Sequence, residues 1–358
     1  MSLKIITVIF FVVLLPFSAL SWDLSGNLDV SYQYNSNFVD AGLVEEASSL
    51  VTGEAAYSKQ VKLNLSTENN FSKENYTKFG YTLDLKDYNQ DMGPNSTAHT
   101  FEFLVDQRLS DDTALRVDIS GKKNHEQEII KRYFLSTCLI KLSKNLASDL
   151  NLELGVSVDD KTTDNSDARD YFAYMSYAQQ GISGNLRYQL SRELITSFNI
   201  KNSKKIYAHK ASGYLSTVFP SLVNEYREDD NAVYNLDLLY VINENLLADL
   251  SAGYAINFSN IPYYSYTGNV MSGYVFGYWL GNRWEIKYTN GDYLYPRRSW
   301  GGYREENIKS ETGSIEMRRN IMTDTYLTLK WEGLRNSSNN AADEFSNDCY
   351  TAGIFVQL

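Results

Sequence analysis

The chain has 358 residues, among them 28 Tyr, 16 Phe, 5 Trp, 5 Pro and 2 Cys, and a formal net charge of −11. An acidic balance with no basic run excludes nucleic acid as a partner, and two cysteines exclude a disulfide-built scaffold. A mean hydropathy of −0.38 excludes a bundle of membrane helices, yet it is no bar to a membrane barrel, whose inward polar residues bring the average down to a soluble value.

The first element in chain order is "MSLKIITVIFFVVLLPFSALSW", with Lys4, an apolar run from Ile5 to Leu15, Pro16, and the small residues Ala19 and Ser21 at cleavage spacing. This is the pattern of a secretory signal, so residues 1–21 are expected to be removed and Trp22 to begin the mature chain. No later stretch approaches the roughly 20 consecutive apolar residues of a spanning helix. Residues 22–358 carry no compositional linker and are expected to form one all-β domain.

The stretch "LSGNLDVSYQY" sets Leu24, Gly26, Leu28, Val30, Tyr32 and Tyr34 on one parity and Ser25, Asn27, Asp29, Ser31 and Gln33 on the other. Successive side chains of a strand point to opposite faces, so one face is apolar and the other polar. The alternation returns in "VKLNLS" (61–66), "NLELGVSV" (151–158) and "ADLSAGYAINF" (248–258). Between such runs the connections come in two sizes that take turns. Tight ones fall within 66–76, 108–115, 141–150, 189–197, 241–250, 279–285 and 317–326. Longer ones rich in Gly, Asn, Asp and Ser fall at 37–53, 89–97, 159–169, 210–229, 260–268, 295–310 and 336–345, with a short one near 124–128. Pro94, Pro220, Pro262 and Pro296 all lie in the second set, as expected of a residue that cannot donate to a sheet ladder.

Short turns on one side and longer loops on the other are the arrangement of a transmembrane antiparallel up-and-down β-barrel. Seven tight turns join fourteen strands, and a strand at each end brings the total to sixteen, with both termini periplasmic. The segment Tyr171 to Leu190 is long for one strand and leaves open a hairpin there, so the count spans 14 to 18. The final "CYTAGIFVQL" alternates to Leu358, as required of a strand that closes a barrel against the first. Trp22, Tyr32, Tyr34, Trp279, Trp284 and Trp331 are candidates for the aromatic girdles at the membrane interfaces. Cys138 and Cys349 are expected to remain free thiols.

No catalytic set is recognisable. His99, His125 and His209 are expected in loops or at strand ends. "HEQEI" (125–129) lacks the second histidine of a zinc helix motif, and "GISGN" (181–185) is not a nucleophile elbow. The acidic stretch Asp159 to Asp170 lacks the calcium-loop register and its turn glycine. Neither a metal nor a cofactor is implied.

Residues opposite the apolar parity should face the lumen. That rule selects Asp29, Asp84, Glu102, Arg116, Asp118, Glu153, Asp237, Asp249, Arg283, Glu285 and Lys287 as pore-lining candidates. Asp106, Glu316, Lys62, Arg187, Lys201, Arg318 and Lys330 belong to the same parity. Acid stands slightly ahead of base in this set, so an open lumen should mildly prefer cations or neutral solutes.

"SYQYNSNF" (31–38) resembles the "Y-x-Y-D-S-N" opening of bacterial outer-membrane barrels of the porin type, with Asn35 at the Asp position. It is also similar to the barrel domains of surface-lipoprotein and polysaccharide export proteins, without their helical repeat domain. The closing "LKWEGLRNSSNNAADEFSNDCYTAGIFVQL" resembles the final hairpin of the same barrels, and Leu358 stands where their C-terminal assembly signal usually has Phe. The resemblance implies a Gram-negative outer-membrane location, contact with lipid and lipopolysaccharide, and recognition by the barrel assembly machinery. The expected function is a non-enzymatic outer-membrane channel, porin-like or an export conduit, for hydrophilic solutes. The alternative is a surface-exposed structural or adhesion barrel acting through its loops at 210–229 and 295–310.

Overall fold

A computed structural model of the protein describes residues 23–35, 56–72, 75–88, 96–126, 132–163, 176–210, 226–296, 305–339 and 344–358. The signal segment 1–21, Trp22 and the loops between these ranges lie outside the described residues. Sixteen strands follow in order: β1 (Asp23–Asn35), β2 (Ala56–Ser72), β3 (Asn75–Tyr88), β4 (Ser96–Ser110), β5 (Thr113–Glu126), β6 (Tyr133–Ala147), β7 (Leu150–Thr163) and β8 (Tyr177–Gln189). They continue as β9 (Leu194–Lys210), β10 (Tyr226–Asn243), β11 (Leu246–Ser259), β12 (Tyr266–Trp279), β13 (Asn282–Tyr295), β14 (Glu306–Met322), β15 (Thr325–Ser338) and β16 (Phe345–Gln357). Each pairs antiparallel with its neighbours in sequence, and β16 pairs with β1 to close the barrel. Leu358 adds one more rung by donating its backbone N–H to the carbonyl of Gly26. The segment 171–190, whose length leaves two strand counts open in the sequence, holds one strand among its described residues, β8. That strand pairs directly with β7 and β9, so no extra hairpin enters the sheet and the count is sixteen.

The tight turns all fall at one end, hereafter the turn end, and the longer connections at the other, the loop end. Turn chemistry explains the sharpest of them. Leu280 and Gly281 both adopt positive φ, 51° and 73°, the conformation of a two-residue type I′ hairpin whose twist matches the flanking strands. At the loop end Pro262 opens a single 3-10 turn, Pro262–Tyr264, which folds back against β11.

Stepping once around the ladder shifts the register by roughly 20 residues, which for sixteen strands implies a tilt of roughly 40° and a backbone diameter of roughly 30 Å. A tilted strand of 14 residues such as β13 then rises roughly 35 Å, enough to cross an apolar band of roughly 25 Å.

The two faces differ sharply in content. On the first parity of the opening strand and its register partners stand Phe101, Leu154, Val156, Ile182, Leu250, Met271, Ile286, Ile315 and Leu329, all exposed. Few apolar side chains are buried among the described residues: Phe103, Val117, Tyr207, Ala255, Ile261 and Ile308. A soluble protein rarely exposes a contiguous apolar patch beyond a few hundred Å², whereas here the apolar face encircles the molecule. Hydrocarbon is the medium that stabilises it.

The other face is concave. Asp29 on β1 interacts electrostatically with Arg318 and Glu316 on β14, three strands away around the sheet, as well as with Lys62 and Asp84 on β2 and β3. Reach of that kind between non-adjacent strands is available only across the inside of a curved sheet, so this parity lines the lumen.

Candidate functional site: the inner wall of the barrel

Every one of the eleven pore-lining candidates, from Asp29 to Lys287, stands on the inward parity. The pairs Asp29↔Lys62↔Asp84, Glu153↔Asn185, Leu239↔Asp249 and Glu285↔Glu316 carry that parity from strand to strand. Asp106, Lys62, Arg187, Lys201, Glu316, Arg318 and Lys330 share it. Most of them stand in the half of their strands nearer the tight turns, where they form a belt around the inner wall.

Within this belt many of the charges are paired. Arg283 donates to Glu285, and Lys287 Nζ lies 3.6 Å from the other oxygen of the same carboxylate. Arg318 Nε donates to Glu316 at 2.6 Å, Lys141 reaches Glu153 at 2.7 Å, and Lys330 reaches Glu332 at 2.7 Å. Arg116 and Asp118 stand 3.8 Å apart, while Asp84 accepts two bonds from the Gln60 amide at 2.8 and 3.0 Å. The arc formed by β8, β9 and β10 is different, with an amide relay in which Asn185 donates to Asn199 and Asn199 donates to Asp237.

Several inward charges escape the sequence reading. They include the cations Lys78, Lys86, Arg108, Lys122, Lys141, Lys161, Lys205 and Arg227 and the acids Asp23, Glu68, Asp159, Asp229, Glu306 and Glu332. With them, acid and base on the inner face come close to balance. Lys141 is obscured because β6 carries Leu135 and Leu139 on its inward parity, so its two faces look alike in sequence. The matching signal lies on β7, where the apolar Leu152, Leu154 and Val156 leave Glu153 unambiguously inward.

The histidines are placed partly as expected. His125 and His209 are the second-last residues of β5 and β9. His99 instead sits inside β4, on the outward parity, where its Nδ1 is 2.9 Å from the Tyr81 hydroxyl. Of the acidic stretch 159–170, Asp159 and Asp160 belong to β7 and point to opposite faces, and residues 164–170 lie outside the described residues. No group of metal-ligating side chains occurs among the described residues. Cys138 and Cys349 are both free, the first outward on β6 and the second inward on β16. Tyr32, Tyr34, Trp279, Trp284 and Trp331 all stand on the outward parity.

No protein-family model matches the chain, and no curated protein matches it. Solved structures do. OccAB1 of Acinetobacter baumannii aligns with a TM-score of 0.51 and 10% identity over 94% of this chain and 97% of that one. An anion-selective porin from Comamonas acidovorans aligns with a TM-score of 0.51 and 11% identity over 95% and 100%. At these identities the likeness is one of fold, a porin-type barrel matched along nearly its whole length.

Proposed function

We propose that this chain is an outer-membrane channel of the porin type, passing hydrophilic solutes without catalysing their conversion. The observation that carries the proposal is the closed sixteen-strand barrel with an apolar outer band and an inner wall on which polar and charged side chains predominate. A barrel of eight strands can fill its interior with side chains, whereas one of sixteen leaves an aqueous passage. The fold likeness to an anion-selective porin and to OccAB1 supports the same function. Near balance of the lumen charges argues for weak ion selectivity rather than a strong preference of either sign. In this proposal the termini are periplasmic, the outer band meets lipid and lipopolysaccharide, and the assembly machinery reads β16.

The test is conductance. Refolded protein in a planar bilayer should show discrete current steps in potassium chloride with modest cation-to-anion discrimination. Complete absence of steps from protein that shows heat-modifiable migration would contradict the channel.

A further inference from the structure

The outer wall carries a shallow groove of about 540 Å³ that crosses β13, β14, β15, β16 and β1. Trp284, Met317, Leu329, Trp331, Tyr350 and Tyr32 wall it, and Ala352, the smallest side chain of the lining, stands exposed between Leu329 and Tyr32 in the register. Trp284 is the third residue of β13 from the turn end, whereas Tyr32 is the tenth of β1. The groove therefore climbs obliquely from the turn end into the apolar band. Four strand spacings carry it roughly 19 Å around the wall.

A cation stands at its turn-ward end. Arg319 is exposed on the outward parity of β14, two residues turn-ward of Met317 and opposite Asn282, whose other partner is Trp279. It is thus bracketed by Trp284 and by Trp279, which is 68% exposed, and tryptophans so placed mark the level of the lipid headgroups. On the outward parity of the strands, the turn-end halves hold two cations among the described residues, Lys144 and Arg319. Lys144 has Asp112 at 4.0 Å, whereas the Arg319 guanidinium makes no ion pair or hydrogen bond among the described residues. The same halves carry no Asp or Glu on the outward parity among the described residues; the acids of that end sit in the turns, as Asp112 and Asp324 do.

We propose that Arg319 and the groove together hold one anionic phospholipid of the leaflet at the turn end, its phosphate on the guanidinium and one acyl chain in the groove. The proposal rests on the reading that the outer band meets lipid, and not on conduction. The length suits a single chain: each leaflet's chains fill roughly 15 Å of a hydrocarbon core roughly 30 Å thick, and an inclined path of roughly 19 Å takes one of them. The planar fork of arginine matches a pair of phosphate oxygens. Because no carboxylate shares this level of the outer wall, the guanidinium carries an uncompensated charge. A lipid without a cation of its own, such as phosphatidylglycerol, offsets that charge better than phosphatidylethanolamine, whose ammonium stays beside the arginine. A second copy of the chain, packed here in the same membrane, would set the same acid-free strands against Arg319 at the same level, so charge favours lipid over protein as the occupant.

The full chain, refolded in detergent micelles, would be titrated with phosphatidylglycerol, phosphatidylethanolamine and glycerol phosphate, and the bound copies counted by native mass spectrometry. Phosphatidylglycerol should bind about fivefold more tightly than phosphatidylethanolamine, and glycerol phosphate, which brings no chain, should not be retained. Arg319→Gln should bring phosphatidylglycerol down to the phosphatidylethanolamine level. Ala352→Phe, which fills the groove, should weaken both lipids and leave their ratio unchanged. Equal affinity for the two lipids, an unaltered preference in Arg319→Gln, unaltered binding of both in Ala352→Phe, or retention of glycerol phosphate as tight as that of phosphatidylglycerol would overturn the site. A dimer that Ala352→Phe dissociates would overturn it too, since the groove would then belong to a second copy. Heat-modifiable migration reports that each variant is folded; if one is not, Arg319→Met or Ala352→Leu decides by the same criterion. Because lipid is counted without current, a barrel that holds phosphatidylglycerol but does not conduct refutes the channel alone. One that conducts but does not tell the two lipids apart refutes the lipid site alone.

Discussion

The outer and inner faces of β13, β14 and β15 use the same backbone and the same hydrogen-bond ladder, yet they are built for different media. Outward stand Trp284, Ile286, Ile315, Met317, Leu329 and Trp331; all but Ile286 line a shallow apolar groove together with Tyr32, Tyr34 and Ala352. Inward, one residue away in each case, stand Arg283, Glu285, Lys287, Glu316, Arg318 and Lys330 with their ion pairs. Stability on one face thus comes from matching hydrocarbon and on the other from keeping charges paired or wet. A substitution should therefore be judged by parity before chemistry.

The largest effect expected from this contrast is a charge on the wrong side. Ile315→Arg, outward on β14, should destabilise the barrel by about 2–4 kcal/mol. Thr312→Arg, inward on the same strand, should change stability by no more than about 0.5 kcal/mol. Denaturant unfolding in lipid vesicles measures both, and equal losses would erase the distinction between the faces.

Next comes Trp331. Its ring lies flat over the outer wall because Gly313 and Gly333 flank it: a Cβ on Gly313 would sit 3.4 Å from the ring and one on Gly333 only 2.7 Å. Its indole N–H donates to Asp348 at 3.2 Å. Trp331→Ala should cost about 1–2 kcal/mol in the same unfolding assay.

A smaller effect on stability but a clear one on permeation is expected from Glu285→Gln, which leaves Arg283 and Lys287 without their shared carboxylate. Both cations are more than a third exposed, so water and salt screen the loss to about 1 kcal/mol or less. The reversal potential in a salt gradient should move toward anion preference.

The smallest concerns the turn that joins β4 and β5. Ser110 Oγ and Thr113 Oγ1 donate to Asp112 Oδ1 at 2.6 and 2.9 Å, and these bonds hold its carboxyl below the usual carboxylate range. A depressed folded value means that the contribution is present above the ordinary carboxylate range and is lost as pH falls through the depressed value. Ser110→Ala should move the Asp112 titration upward, as seen by carboxyl NMR in micelles.

Much of this architecture is legible in the sequence because the barrel imposes two periodic constraints. Alternation fixes the strands, and the turn size fixes which end each connection occupies, so "RLSDDTAL" and "WLGNRWE" announce their hairpins directly. Legibility fails where a strand leaves the hydrocarbon. Beyond Val158, β7 continues through Asp159, Asp160 and Lys161 to Thr163, where both faces are polar and the alternation vanishes; the strand therefore outlasts the loop expected from 159. His99 lies inside β4 instead of in a loop or at a strand end for a related reason, since a histidine on the outward parity makes sense only once Tyr81 is known to be beside it. The contacts of Lys161 and Lys205 with the rings of Tyr133, Tyr177 and Tyr207 depend on the register between strands, which parity alone does not supply.

The central claim is that the two parities of each strand face hydrocarbon and enclosed water respectively. The direct measurement is a single-cysteine scan of β15 from Leu327 to Leu334, in a Cys138→Ser/Cys349→Ser background reconstituted in lipid vesicles, using a charged, membrane-impermeant thiol reagent. Reaction should rise and fall with a period of two, fast at Thr328, Lys330, Glu332 and Leu334 and slow at Leu327, Leu329, Trp331 and Gly333. Uniform reactivity along the strand, or the opposite phase, would contradict the account.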